Sequence, residues 1–418
     1  MTAVMSGLHL LITGASGYIG QHLLRHALCQ GHRVTVLSRR RPCEPCRWFA
    51  WSLTDPVPAL ALQADRDLGP IDAVLHLSHQ WESELPEDQD ENLTGFRSLL
   101  AASRAAGVGR FILASSVSAQ AGALNRYGRI KWRLTQELTG PGELAARIGL
   151  VYGGPPLGQW GTMRTLAGKL PILPMVGTDK GVQPIHLDEV CDGLLRMAAL
   201  PRPSRPVFGL ADPAPIAFGA WLKLLARTVH GRGLTIVPLP LPLVLLAVRI
   251  VNRLPIPVSI AEERVMGLAG LPEIDSADDL AELGLSLRPA AQVLAEAGRR
   301  RRLVTEAAAA LASVTGRRPR KEQIAAYVRG IERHGDGQPL MLPPLAARCP
   351  ALLRLIEPPT GALTPDGWRG RLHMALTIAE AGLGTHPPGR LAAIARLVGT
   401  GAAEALMLPF RWLAGRNR

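Results

Sequence analysis

Leu8-His9-Leu10-Leu11-Ile12-Thr13-Gly14-Ala15-Ser16-Gly17-Tyr18-Ile19-Gly20 decides the fold of this chain. The first six residues form an apolar run of the length expected for a buried parallel strand. From Tyr18 to Gln30 the pattern becomes helical, with Ile19, Leu23, Leu24, Ala27 and Leu28 on one face. The glycines therefore occupy a turn between a strand and a helix. Gly14 and Gly17 permit positive φ and a close approach of backbone to ligand, and Gly20 lets the helix pack tightly on the strand. The helix N-terminus offers unpaired N–H groups to an anion. Gly14, Ser16, Gly17, Tyr18, Ile19 and Gly20 thus form a candidate cradle for a dinucleotide pyrophosphate. A strand-turn-helix also occurs without a ligand, so the remainder of the chain has to decide.

After Gly31 a second strand, Arg33-Val34-Thr35-Val36-Leu37, runs into Ser38-Arg39-Arg40-Arg41. In dinucleotide folds an acid closing this strand accepts from the ribose 2′-hydroxyl, and an arginine there accommodates a 2′-phosphate. Here Ser38 holds the discriminating place, followed by Arg39 and Arg40. Guanidinium groups clamp a phosphate in bidentate fashion, which favours NADP(H) over NAD. The same arginines also suit a solvated basic loop.

Further strands are expected at Ala73-Val74-Leu75-His76-Leu77 and Arg110-Phe111-Ile112-Leu113-Ala114, separated by a helix from about Asp90 to Ala106. This alternation predicts a Rossmann-type α/β fold, a doubly wound parallel sheet whose ligands lie beyond the carboxyl ends of the strands. His76, Leu77 and Ser78 reach that edge beside the cofactor, and Ser115 and Ser116 reach it at the next strand. Tyr127 and Lys131 are four apart on a helix expected over Leu124 to Thr139, so they share a face. A free phenol is a poor base at neutral pH, but a nearby ammonium favours its anion. Ser116, Tyr127 and Lys131 are accordingly the candidate catalytic residues. Tyr127 would exchange a proton with a substrate hydroxyl or carbonyl while hydride moves to or from a nicotinamide, with Ser116 holding the same oxygen.

The chain resembles the short-chain dehydrogenase/reductase superfamily in its extended or atypical branch, the NAD-dependent epimerase/dehydratase proteins, over roughly residues 7 to 298. The resemblance rests on Thr13-Gly14 through Gly20, His76-Leu77, Glu91-Asn92-Leu93-Thr94-Gly95, Ala114-Ser115-Ser116 and Tyr127 through Lys131. It continues in Arg147-Ile148-Gly149-Leu150-Val151-Tyr152-Gly153 and Pro184-Ile185-His186-Leu187-Asp188-Glu189-Val190. It implies the roles just argued for Ser116, Tyr127 and Lys131, and that Lys131 also holds the nicotinamide ribose. The chain departs from many sugar-nucleotide epimerases in its short stretch between Ser116 and Tyr127 and in lacking the strand-ending acid of NAD-dependent members. Both departures favour a simple reductase or dehydrogenase over an epimerase. The Gly- and Pro-rich segment from Pro155 to Asp179 is expected to line the substrate pocket, with Gln159, Trp160, Met163 and Arg164 as candidates. Residues 155–183 and 212–298 would form a small substrate-binding subdomain.

At 418 residues the chain exceeds one such domain by about a hundred. The boundary is expected at Arg299-Arg300-Arg301-Arg302, dividing a dehydrogenase/epimerase-like domain, 1–298, from a basic helical domain, 299–418. From Arg301 onward there are 17 Lys plus Arg against 8 Asp plus Glu, so much of the net charge of +13 lies in this tail. Helices are expected at Leu303 to Val314, Lys321 to His334, Trp368 to Ala381 and Gly389 to Trp412. The charge lacks interleaved aromatics, which argues against nucleic acid. Leu391 to Arg416 has the basic and apolar character of a peripheral anchor on an anionic membrane. Leu234 to Val248 is apolar but too short to span a bilayer, and suits a core or homodimer helix or an interfacial one. The N-terminus shows no signal pattern, so a cytoplasmic protein is expected, held at most at the inner face of the membrane. The five cysteines are scattered; Cys43-Glu44-Pro45-Cys46 has metal or redox spacing but no second pair, and no metal is expected. The alternative to an enzyme acting on a small molecule is a catalytically silent NADP(H)-binding scaffold, an accessory subunit of a membrane-associated complex.

Overall fold

A computed structural model of the chain describes residues 7–81, 85–240 and 272–334, with isolated positions at 242, 244, 339, 342, 350, 352, 353, 376 and 377. Strand β1 (His9–Thr13) leads through the glycine turn into helix α1 (Tyr18–Cys29), then β2 (Arg33–Ser38), β3 (Arg47–Ala50), the single turn α2 (Ala59–Leu62) and β4 (Ala73–His76). Next come α3 (Glu91–Ala105), β5 (Arg110–Ser116), α4 (Arg126–Gln136), β6 (Glu143–Ile148), β7 (Leu150–Tyr152) and α5 (Gly158–Lys169). The unit continues with β8 (Ile172–Met175), β9 (Gly181–Val182), β10 (Pro184–His186), α6 (Leu187–Ala199), β11 (Val207–Leu210), β12 (Ile216–Ala217), α7 (Phe218–His230) and β13 (Thr235–Pro238).

Seven strands form one sheet in the order β11-β6-β5-β4-β1-β2-β3, every neighbouring pair parallel. Because both faces of a parallel sheet are covered, its strands are apolar throughout and successive side chains enter different cores. Leu10 and Ile12 of β1 pack with Leu23, Leu24 and Ala27 of α1 and with Val190 and Leu194 of α6. Leu11 between them belongs to the opposite core, with Leu93, Phe96 and Leu99 of α3 and Ile130 and Leu134 of α4. The chain order reverses between β1 and β4, so the crevice at their carboxyl ends is where this topology places a ligand.

Helix α1 ends where Gly31 takes φ +82°, and its polar face is fastened to α6. His22 Nε2 lies 2.6 Å from Asp188 Oδ1, and His26 Nε2 lies 2.6 Å from Asp192 Oδ1, which also accepts from Gln30. The hydrogen bond to the Asp192 carboxylate raises the His26 pKa above 6.5. A histidine whose folded pKa is raised adds stability that is present below the unfolded value and lost as pH rises through the folded one. Protonation of His9 and His32, whose pKa values burial lowers, acts in the opposite sense. The difference between parent and His26→Gln isolates the fastening. Melting temperatures compared from pH 5.5 to 8.5 should show a parent advantage that shrinks as pH rises; a pH-independent difference would show that His26 contributes only packing.

The chain divides into two compact units, Met1–Gln292 and Val293–Arg418. The arginine run expected to mark a boundary is helical, inside the helix Ala290–Thr315. In the second unit Leu303, Ala307, Ala310, Leu311 and Val314 pack with Tyr327 and Val328 of the helix Lys321–His334. The helices expected at Trp368 to Ala381 and Gly389 to Trp412, and the anchor-like stretch Leu391 to Arg416, lie essentially outside the described residues. Of Leu234 to Val248, Thr235–Pro238 is a strand rather than a helix, and most of the remainder also lies outside them. Among the described residues no helix is long and apolar enough to cross a membrane.

Candidate active site

The glycine turn requires its glycines. Gly14 has φ +71°, and a Cβ there would sit 2.7 Å from the Ser78 backbone nitrogen; a Cβ on Gly20 would lie 2.2 Å from the Gly14 oxygen. Gly17 meets only the Gly14 oxygen and otherwise faces open space, and no side chain caps the helix it begins. An uncapped N-terminus beside a Cβ-free surface has the form a pyrophosphate needs. Ser16 is exposed and Ile19 half-buried, whereas the Tyr18 hydroxyl donates to the Gly153 oxygen at 2.6 Å, tying the loop after β7 to this turn. At the end of β2 Ser38 is buried, its hydroxyl donating to the Arg40 oxygen at 2.7 Å and accepting from the Trp48 indole at 3.2 Å. Arg39 and Arg40 are exposed.

His76 does not reach the crevice. It is buried in the sheet, with Nδ1 3.0 Å from Thr13 Oγ1 and its ring against Phe96 and Phe111. Burial, with the charge of Lys131, pushes its pKa down to about 3, so it is a neutral packing residue beneath the site. Leu77 and Ser78 N–H groups donate to the same Thr13 hydroxyl, holding the start of the next loop against the glycine turn.

Ser116, Tyr127 and Lys131 come together at the carboxyl end of β5. Asn125 caps α4 by accepting from the Gly128 N–H at 3.0 Å, and a Cβ on Gly128 would lie 2.4 Å from the Ser118 oxygen. That close approach seats the first turn of α4 on the Ser116–Ser118 loop, where the Ser116 hydroxyl is hydrogen-bonded to the Tyr127 phenol. Ser116 Oγ also lies 3.0 Å from Ser118 Oγ. Arg147 steadies the loop by donating to the Ala119 oxygen at 2.7 Å. Lys131 is buried, donates to the Ala114 oxygen at 2.8 Å, and holds its ammonium 5.9 Å from the centre of the Tyr127 ring.

The electrostatics differ from the simple pairing that the four-residue spacing suggests. Burial pushes the phenol up to about 12, against a smaller opposing effect of the Ser116 hydrogen bond, and pushes Lys131 down to about 8. Desolvation opposes both charged forms and sets the direction of both shifts.

Two site residues carry no sequence signal beyond their position just after a strand. The Trp81 indole stacks on Tyr127 with ring centres 4.9 Å apart and planes at 17°, and His79 meets Tyr127 edge-on at 4.9 Å. His79 Nδ1 is buried without a hydrogen-bond partner, and burial lowers its pKa to about 2. Asn92 fixes this loop by accepting from the Gln80 N–H at 2.8 Å and donating to the Gln80 oxygen at 3.0 Å. Of the residues expected to line a pocket loop, Trp160 and Met163 are instead buried in helix α5, where Trp160 packs edge-on against Tyr152. Gln159 is exposed and Arg164 half-buried on the same helix. Cys43 and Cys46 are free, and no cluster of metal-ligating side chains occurs among the described residues.

Residues 10–141 match the NAD dependent epimerase/dehydratase family. The chain is 29% identical over 232 residues to a ceramide reductase of Caulobacter vibrioides, covering 53% of this chain and 70% of that protein. It is 26% identical over 182 residues to a putative dihydroflavonol 4-reductase of Synechocystis, covering 38% of this chain and 52% of the relative, about half its length. Among solved structures, the UDP-glucose 4-epimerase of Thermotoga maritima with UDP-glucose superposes with a TM-score of 0.51 at 18% identity, over 69% of this chain and 96% of that one. A short-chain dehydrogenase/reductase superfamily protein of Agrobacterium tumefaciens with bound NAD gives 0.51 at 20%, over 71% and 99%. At such identities the structural likeness is one of fold. Within the Rossmann unit, residues 10–141 thus resemble the NAD dependent epimerase/dehydratase family, and the solved structures share the fold of this unit.

Proposed function

We propose that the chain is an NAD(P)-dependent reductase or dehydrogenase that interconverts a hydroxyl and a carbonyl, with Tyr127 as its acid-base group. The observation that carries this reading is the convergence of Ser116, Tyr127 and Lys131 at the carboxyl end of β5, in the sheet whose first turn forms an uncapped glycine cradle. Gly14, Ser16, Gly17 and the N–H groups of Tyr18, Ile19 and Gly20 would hold the pyrophosphate. Leu77 and Ser78 would border the dinucleotide, and Lys131 would hold the nicotinamide ribose. When bound, the nicotinamide supplies or accepts the hydride. Ser116 orients the substrate oxygen, and Tyr127 donates its phenolic proton to that oxygen in reduction or takes it back in oxidation. A phenol held near 12 is protonated at neutral pH, which suits it to the donor role. Two relatives whose names describe reductases support this direction.

The finer proposal is a preference for NADP(H). The Ser38 hydroxyl is occupied by Arg40 and Trp48, no acid closes β2, and the exposed Arg39 and Arg40 guanidinium groups offer the charge that a 2′-phosphate needs. Calorimetric titration should give NADPH at least about tenfold tighter than NADH, the factor that a single charge-assisted contact of about 1.4 kcal/mol supplies. Arg39→Glu should erase or invert that preference, because it adds repulsion as well as removing attraction. Equal affinities in the parent would refute the cofactor assignment. Failure to bind either dinucleotide would refute the enzyme.

A further inference from the structure

Two histidines flank Leu77-Ser78, and the structure places them for different work. His76 ends β4 inside the sheet, where Nδ1 meets the Thr13 hydroxyl and the ring packs on Phe96 and Phe111; its Nε2 is unpaired, but in the core beneath the site. His79 lies in the loop beyond, against the reacting phenol. Its ring stands nearly perpendicular to those of Tyr127 and Trp81, at 86° and 83°, with both centres 4.9 Å away. Its Nδ1 is buried there with no hydrogen-bond partner. A buried polar group left unpaired is destabilising, and one at a reaction centre calls for an explanation.

The ring is held in place from both sides. The Ser78 N–H donates to Thr13 Oγ1 at 3.3 Å, and Gln80 exchanges two hydrogen bonds with Asn92, which is itself tied to Asp90 Oδ1 at 2.8 Å. A side chain fixed by such supports is preorganised for a contact. Burial, with the charge of Lys131, keeps the imidazole neutral at any working pH, so it offers no charge to a carboxylate or phosphate. Nδ1 donates in one tautomer and accepts in the other, and a hydroxyl answers either. The reacting carbonyl oxygen has two lone pairs, and Ser116 and Tyr127 take both. The group that meets His79 therefore lies elsewhere on the substrate, close to the reacting carbon.

We infer that, granted the redox reading above, His79 is a specificity-determining residue: its Nδ1 pairs with a hydroxyl on the carbon next to the reacting carbonyl. The enzyme thereby prefers α-hydroxy ketones, and the vicinal diols they become on reduction, to ketones that lack this hydroxyl.

The test uses the full chain and two probe pairs, each differing by exchange of a hydroxyl for a methyl. Hydroxyacetone and butanone are assayed for turnover with NADPH and with NADH. Glycolamide and propionamide offer the same contrast but are not reduced by a nicotinamide, and their affinities are measured with cofactor present. The ratio of kcat/KM for hydroxyacetone to that for butanone should fall by about tenfold or more from parent to His79→Phe, the factor for one buried hydrogen bond. Comparing the ratio between variants cancels the intrinsic reactivity of the two ketones. His79→Asn, whose amide lies near the place of Nδ1, should restore most of the ratio, and His79→Gln, whose amide lies near that of Nε2, should not. Dinucleotide affinity should be unchanged throughout. A ratio indifferent to His79→Phe, or rescued by Gln and not by Asn, would overturn the inference and leave the redox reading standing. A fall in dinucleotide affinity with the ratio unchanged would make the cofactor the partner of Nδ1 and overturn it too. Preference for glycolamide that His79→Phe removes, without turnover of either ketone, would uphold the hydroxyl contact and sink the redox reading. Neither turnover of the ketones nor binding of the amides would sink both.

Discussion

Tyr127→Phe should lower turnover by about two to four orders of magnitude while leaving dinucleotide affinity within about twofold of the parent, because the change removes one proton donor and little else. The ring keeps its stack on Trp81 at 4.9 Å and its edge contact with His79, so the packing that seats α4 survives. The hydrogen bond to Ser116 is lost, but Ser116 retains Ser118 as a partner at 3.0 Å. The loss should therefore fall on kcat, with a modest change in KM. Single-turnover measurements with saturating reduced cofactor check this. Unchanged turnover would show that another group moves the proton. A parallel collapse of dinucleotide binding would show that the ring acts as a structural support.

The sheet was readable in the sequence because its strands are buried on two sides. His9–Thr13 and Arg110–Ser116 are apolar runs with no polar face to confuse them with helices, and Gly14 and Gly31 mark the turns where φ is positive. Strand β3 and helix α5 were not readable. Arg47-Trp48-Phe49-Ala50 is a short edge strand after a proline- and cysteine-containing loop, with no alternation to betray it. In α5, Gly158, Gly161 and Gly168 read as loop. Yet Gly161 is there because a Cβ would lie 2.3 Å from the Pro156 oxygen, and tertiary packing of Trp160 and Met163 overrides a weak helix propensity. The spacing of the candidate pair was equally legible, since Tyr127 and Lys131 share a face by period alone. The charge state of the pair was not, because it depends on water excluded by Trp81 and by His79, which lie far from Tyr127 in sequence.

Lys131 carries the second large effect, and it runs in opposite directions for stability and for activity. Its ammonium is fully buried, with the Ala114 carbonyl as its hydrogen-bond acceptor, and its pKa is down at about 8 from 10.5. A lysine with a depressed folded pKa penalises the folded state fully below about pH 8, and the penalty is relieved as pH rises toward the unfolded value, because there only the unfolded chain holds the proton. At about 1.36 kcal/mol per unit the penalty at neutral pH is on the order of 3 kcal/mol. Lys131→Met fills similar volume without charge, leaves the Ala114 carbonyl short of one donor at a cost of about 1–2 kcal/mol, and so should stabilise the fold by about 1–2 kcal/mol at pH 7. Turnover should fall about a hundredfold or more, since the variant loses both the positive charge beside the phenol and the proposed hold on the nicotinamide ribose. Denaturant melts at pH 7 and pH 9.5 separate this from a structural role: the advantage of Lys131→Met should shrink at the higher pH, as the parent lysine discharges in the folded state. A variant less stable than the parent at both pH values would mean that the ammonium is held by more than the Ala114 carbonyl and supports the fold.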